Sequence, residues 1–173
     1  MMVGYEIEIR GMDEQLKRLG RFSQIADRRL GTAMRQSVST IVAEVRPLTP
    51  VGVSARLRNS IGSEVRQEGP LSIVGRVGSS LSDEVYPAVM EFGRRPGSMP
   101  PPGALVRWVH LRLRVPEEEA GRVAFLVARK IGKRGIPGKF FMKRGWQKSR
   151  PRVERYFDQA LQLIANDLAL NNG

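Results

Sequence analysis

The chain contains no cysteine and a single histidine, His110. Without cysteine there are no disulfides and no thiolate metal sites. With only one histidine as well, the usual zinc ligand sets cannot be assembled. A Ser-His-Asp triad would have to run through His110, and no G-x-S-x-G turn is present to offer a serine. Beside Trp108, Val109 and Leu111 this histidine reads as structural. No GxxxxGK[ST] phosphate loop occurs, and no strand precedes the glycines that flank Lys133 and Arg134. No unbroken apolar run reaches the length of a membrane span, so no membrane association is expected. The opening MMVGYEIEIR carries acids and no apolar stretch, so a signal peptide is not expected and assembly in the cytoplasm is.

Carboxylates remain for a magnesium-dependent nuclease. Glu64, Asp83, Glu84 and Glu91 cluster in sequence, but none is followed by the acid-x-Lys triplet of that chemistry. They are expected as surface groups. The expectation is a protein without catalytic residues, cofactor or metal.

At 173 residues with 41% hydrophobic content, the chain is expected to form one domain, 1–173, with a real core. The net charge of +12 is unevenly placed. Between Arg94 and Arg155 lie 17 Lys/Arg against four acids; the remainder holds 12 basic and 13 acidic residues. The excess therefore belongs to one segment, which points to an anionic partner or to a solvated face. The block is interleaved with Trp108, Phe125, Phe140, Phe141 and Trp146, so it is not a simple polar tail. Arg122, Arg129, Lys130, Lys133, Arg134, Lys139, Lys143 and Arg144 are the candidate DNA-facing groups. No helix-turn-helix, zinc finger or RNA-recognition signature accompanies them, so contact would be non-specific.

Periodicity outlines the elements. Tyr5–Ile9 alternates as a half-buried strand. Asp13 is placed to cap a helix that Gly20 interrupts. A long helix follows over about 22–45, with Pro47 and Pro50 stopping it near Arg46. Strands over about 60–66 and 72–78 flank Glu68-Gly69-Pro70 as a hairpin, with Gly75 marking a bulge. Residues 86–92 fit a helix or a strand. Residues 94–102 form a proline-rich loop. Leu105, Trp108, Val109 and Arg112 outline a short helix. Pro116 opens another with the stripe Val123, Leu126, Val127, Ile131, which Gly132 and Gly135 end. Pro151 opens a last helix with the stripe Val153, Tyr156, Phe157, Ala160, Leu161, Ile164, Leu168. The fold class is α+β: a long N-terminal helix on a small antiparallel sheet, a helical insertion, and a C-terminal amphipathic helix.

Three segments then stand in a recognisable order. Leu48-Thr49-Pro50-Val51-Gly52 leads to Arg56-Leu57-Arg58-Asn59-Ser60-Ile61; Tyr86-Pro87-Ala88-Val89-Met90-Glu91-Phe92-Gly93 follows the hairpin; Pro137-Gly138-Lys139-Phe140-Phe141 precedes the last helix. This resembles the tail-completion and neck (head–tail joining) family of long-tailed bacteriophages, whose members show "TPvdTGxLrnSI", "YAxxvEfG" and a late "PF". Val51–Ala55 stands where members carry Asp-Thr-Gly, and Gly138-Lys139 separates the Pro–Phe pair. The resemblance spans roughly residues 12–170, with 94–136 as a basic helical insertion.

The resemblance implies a non-enzymatic virion protein of the neck. It would form a homo-oligomeric ring, six subunits or alternatively twelve, at the head-proximal end of the tail. Partners would be the tail terminator or tail tube protein and the head connector, with non-specific contact to genomic DNA in the channel. Candidate interface residues are Arg56, Arg58, Arg94, Arg95, Trp108, Phe140, Phe141 and Trp146. Leu57 and Ile61 would anchor their loop into the sheet while Arg56 and Arg58 face outward. Glu91-Phe92-Gly93 would be a packed Phe beside a glycine at positive φ, or a plain strand end. The alternative function is a basic, non-specific nucleic-acid-binding protein acting outside a particle.

Overall fold

A computed structural model describes residues 4–8 (backbone only), 23–83 and 85–170. The expected Asp13 cap, the Gly20 interruption and Glu84 lie outside the described residues. The elements are β1 (Gly4–Glu8), α1 (Ser23–Leu48), α2 (Arg56–Ser60), β2 (Ile61–Gly69), β3 (Ser72–Ser79) and α3 (Val85–Phe92). They continue with β4 (Gly93–Arg94), α4 (Gly103–Leu113), α5 (Glu117–Arg134), β5 (Ile136–Pro137) and α6 (Phe141–Leu170). The fold is α+β, with a long N-terminal helix on a small antiparallel sheet.

Helix α1 is the hub, because its apolar residues cover more than one face. Leu30, Met34, Val38, Ile41 and Val45 are all buried. One side lies on a three-stranded sheet of order β1-β3-β2, antiparallel throughout. The other side lies along α6, which runs antiparallel to it. Arg29 bonds Asp167 at 3.0 Å, Thr40 meets the Tyr156 hydroxyl at 3.2 Å, and Arg152 pairs with Glu44. Each pair is a step further along α1 and a step further back along α6.

Two glycines permit these approaches. A Cβ on Gly75 would sit 2.7 Å from Val38 Cγ1, and one on Gly145 would sit 3.0 Å from the Cα of Val45. Gly75 is therefore a contact point for α1 and not a bulge. The irregularity of the hairpin falls instead in β2, between Gln67 and Gly69.

Several boundaries move. Helix α1 runs two residues beyond Arg46, with Pro47 in its last turn. There the Thr49 N–H still reaches the Val45 carbonyl at 3.1 Å, so the trace stays helical. Helix α6 begins at Phe141, and Pro151 lies inside it. One interior proline forfeits a backbone bond and costs about 3 kcal/mol. Burial of Phe141, Met142 and Val153 in the main core outweighs that loss.

The buried face of α5 is Ala120, Ala124 and Ala128, while Leu126 is 50% exposed. Small side chains let α4 come close, and Val109, Ala120 and Ala124 form a satellite core with Leu105, Val106, Val123 and Val127 around it. Residues 86–92 resolve as helix. Leu57 and Ile61 are buried, as the loop anchors should be, and Arg56 and Arg58 are exposed. Among the described residues no helix is long and apolar enough to cross a membrane.

Gly145→Ala is expected to lower stability by roughly 1–3 kcal/mol through overpacking against Val45, despite the better helix propensity of alanine. Gly121→Ala, on α5 with open space at its Cβ, is expected to raise stability by up to about 1 kcal/mol. Urea unfolding midpoints of the two variants check the contrast.

Candidate functional site

The three segments singled out in the sequence meet at one corner, and a carboxylate joins two of them. Asp83 accepts the N–H groups of Val85 and Tyr86 at 3.0 and 3.3 Å, which starts α3. Eight residues on, the helix carries Glu91 inward, 1% exposed. Its two oxygens accept the backbone N–H groups of Met142 at 2.9 Å and Lys143 at 3.1 Å. These belong to the first turn of α6, which has no acid of its own. A buried carboxylate is costly without partners. Here the positive end of a 30-residue helix supplies them. Two backbone bonds complete the join: Lys139 N–H to the Met90 carbonyl at 2.9 Å and Phe140 N–H to the Glu91 carbonyl at 3.0 Å.

This reverses the expectation for Glu91-Phe92-Gly93. The glutamate is inside and Phe92 is 65% exposed. The glycine does take positive φ, at 84°, where a side chain would strike Ile136 and Gly138 backbone. Just beyond it, Gly93 pairs with Pro137 and Arg94 with Ile136. The stretch between Arg94 and Ile136 thus leaves and returns at a single point.

Beside this corner an apolar groove of about 450 Å³ opens between the fold's body and the α4–α5 hairpin. Pro50 and Val51 of the first segment, Tyr86 and Met90 of the second, and Trp108 and Ile131 of the hairpin line it. A smaller cleft of about 270 Å³ continues past Tyr86 and Trp108 to Ser54, Arg56 and Asp83. Arg112 spans the gap and donates to the Val51 carbonyl.

The candidate interface residues divide. Arg56 and Trp108 line the smaller cleft, and Arg94 lines the groove while its guanidinium holds the Ser98 carbonyl at 2.6 Å. Arg58 and Arg95 are exposed. Phe140 is 44% exposed and holds a left-handed backbone, φ 50°. Phe141 is 1% exposed, because α6 starts there and turns this ring into the main core. It cannot face a partner. Trp146 is half-buried against the same core.

All eight candidate DNA-facing cations are exposed. Among the described residues none of them forms a salt bridge, since those present join Arg29, Arg66, Arg76, Arg150 and Arg152 to carboxylates. Seven acids among the described residues are engaged. Glu44, Glu64, Glu154 and Asp167 hold arginines, and Asp27, Asp83 and Glu91 hold backbone N–H groups. Among the described residues no group of three or more His, Cys, Asp or Glu gathers as a metal site would. His110 Nδ1 lies 2.9 Å from the Val115 carbonyl, a local bond that helps close the turn between α4 and α5.

Glu91→Gln is expected to lower stability by about 1–3 kcal/mol, and Glu91→Ala by more, because charge-assisted bonds at a buried helix start are lost. Chemical denaturation checks this; an unchanged midpoint for both variants would show that the carboxylate is not the clamp. No family model matches this sequence, and comparisons with curated proteins and with solved structures find no match.

Proposed function

We propose that this chain is a structural subunit of the bacteriophage neck, of the tail-completion or head–tail joining type. It acts by assembly, and no bond is made or broken. The observation that supports this reading is the convergence of its three motif segments. They lie far apart in sequence, yet Glu91 ties the second to the third, and the first walls the groove beside them. Residues that carry a resemblance are thereby concentrated at one corner, as expected where a family keeps a common contact.

The same corner has the surface of an interface. Phe92 and Phe140 protrude, while Pro50, Val51, Tyr86 and Trp108 line a hollow. Contiguous exposed apolar surface is characteristic of interaction sites. A closed ring uses heterologous contacts, in which each copy offers two different and complementary patches. Under this proposal the exposed Phe92 and Phe140 supply one patch and the apolar groove the other. In this reading six copies, or twelve, surround the channel, with the tail tube or terminator on one side and the head connector on the other.

Phe140 provides a sharp test. A bulky residue at positive φ is strained by about 1–2 kcal/mol, so Phe140→Gly is expected to leave stability unchanged or raise it. If the exposed ring is an assembly contact, the same variant assembles poorly. Mass photometry of purified protein, alone and with isolated tails, reads the assembly, and cryo-EM of the joined particles locates the ring. A wild-type chain that stays monomeric and never joins tails or heads would defeat the proposal. So would a Phe140→Gly variant that loses stability and assembles normally, as far as the role of this ring is concerned.

A further inference from the structure

We propose that the outer face of α5 is a binding surface for duplex nucleic acid that holds phosphates and does not read bases, and that the cations at the start of α6 add to it. The starting point is the position of the cations relative to the helix ends. Lys133 close to the C-terminus of α5 is where a helix favours positive charge, and Glu117, Glu118 and Glu119 at its start are equally well placed. The same holds for Arg134 in that last turn, but this ordinary explanation does not extend to Lys139, Lys143 and Arg144. Arg122 lies beyond the first turn of α5, out of the dipole's reach, whereas Lys139, Lys143 and Arg144 surround the start of α6, where the helix dipole opposes them. The two N–H groups at that start are already taken by Glu91, so no free anion pocket remains there. The side chains are exposed, and among the described residues no carboxylate pairs with them. Like charges gathered at unfavourable positions destabilise an isolated chain, and an external polyanion relieves them.

Geometry favours a rigid, evenly charged ligand. At 100° per residue, Arg122, Arg129 and Lys133 fall within about 40° of one another, in a row roughly 16 Å long. That row matches about five base pairs of duplex, which carries one charge per roughly 1.7 Å. Phe125 and Leu126 are exposed, but they lie on opposite sides of the row. They do not merge into the continuous apolar stripe that a helix lying in a lipid surface needs. A protein partner would need an apolar centre to its footprint, and the centre of this face is cationic.

The proposal stands apart from the neck reading, because it concerns the isolated chain. Ring formation can fail while duplex binding persists, and the reverse. The measurement is fluorescence anisotropy with a labelled duplex of roughly 30 base pairs, in two unrelated sequences, between about 50 and 200 mM salt. Expected is similar affinity for both sequences, falling steeply with salt. Arg129→Glu with Lys133→Glu should weaken binding at least tenfold and flatten the log–log salt slope by about 2. Lys143→Gln with Arg144→Gln is the decisive variant, since it removes two cations that the helix dipole opposes without adding a second acid beside Glu91. Its melting temperature should hold or rise while its affinity falls. The proposal is overturned if wild type does not bind at the lowest salt, or if both double variants bind as wild type does. It is overturned equally if anionic vesicles bind more tightly than duplex and Phe125→Ser with Leu126→Ser abolishes the interaction.

Discussion

The buried carboxylate of Glu91 and the first turn of α6 constrain one another, and the corner of the molecule is built on that pairing. A helix leaves its first N–H groups without intrahelical partners, and a start packed against the core cannot give them all to water. Helix α6 has no acid in its first turn and buries Phe141 and Met142 there. Glu91 supplies the missing acceptor from another element, more than 50 residues earlier. The arrangement does more than satisfy two donors. It sets where α6 begins, and therefore which of its residues meet α1. The pairs Arg29–Asp167 and Glu44–Arg152 and the seating of Gly145 on Val45 all depend on that starting point.

The same corner explains how a long excursion is carried without disturbing the body. The chain leaves at Arg94 and returns at Ile136, and those two residues are paired. Gly93, Gly135 and Gly138 make room for backbone against backbone at this neck. What lies between has its own small core, in which alanines bring α5 close to α4. Such a hairpin adds surface while leaving the main core unchanged. That surface includes the groove wall at Trp108 and the cationic face of α5.

What was legible in the sequence was whatever repeats locally. The period of α1, the turn residues Glu68-Gly69-Pro70 of the hairpin and the anchors Leu57 and Ile61 are local features, and the structure agrees. What was not legible depends on neighbours distant in sequence. Pro151 has the signature of a helix start, and the burial of Phe141 and Met142 at the true start of α6 carries the helix through it. An alanine stripe carries little weight beside Leu126, yet alanines suit a close helix pair. Acids default to the surface, so Glu91 was discounted. Its signal was indirect: it lies four residues after Pro87, on the same buried face of α3, while the later helix lacks an acid in its first turn. Gly75 and Gly145 are contacts between elements and have no local mark.

Lys143 shows how the two halves of the functional argument fit on one residue. Its backbone N–H points inward to Glu91, and its side chain is exposed. The positive end of α6 is thus compensated inside by a carboxylate, while cations are kept on the outside, where folding alone does not call for them. A net charge of +12 concentrated in one part of the chain works against compactness in solution. Among the described residues, seven acids already hold arginines or backbone donors. A contact between copies centred on Phe92, Phe140 and the apolar groove leaves that charge unmatched, so assembly of the subunit and neutralisation of its basic face are separate demands on separate surfaces.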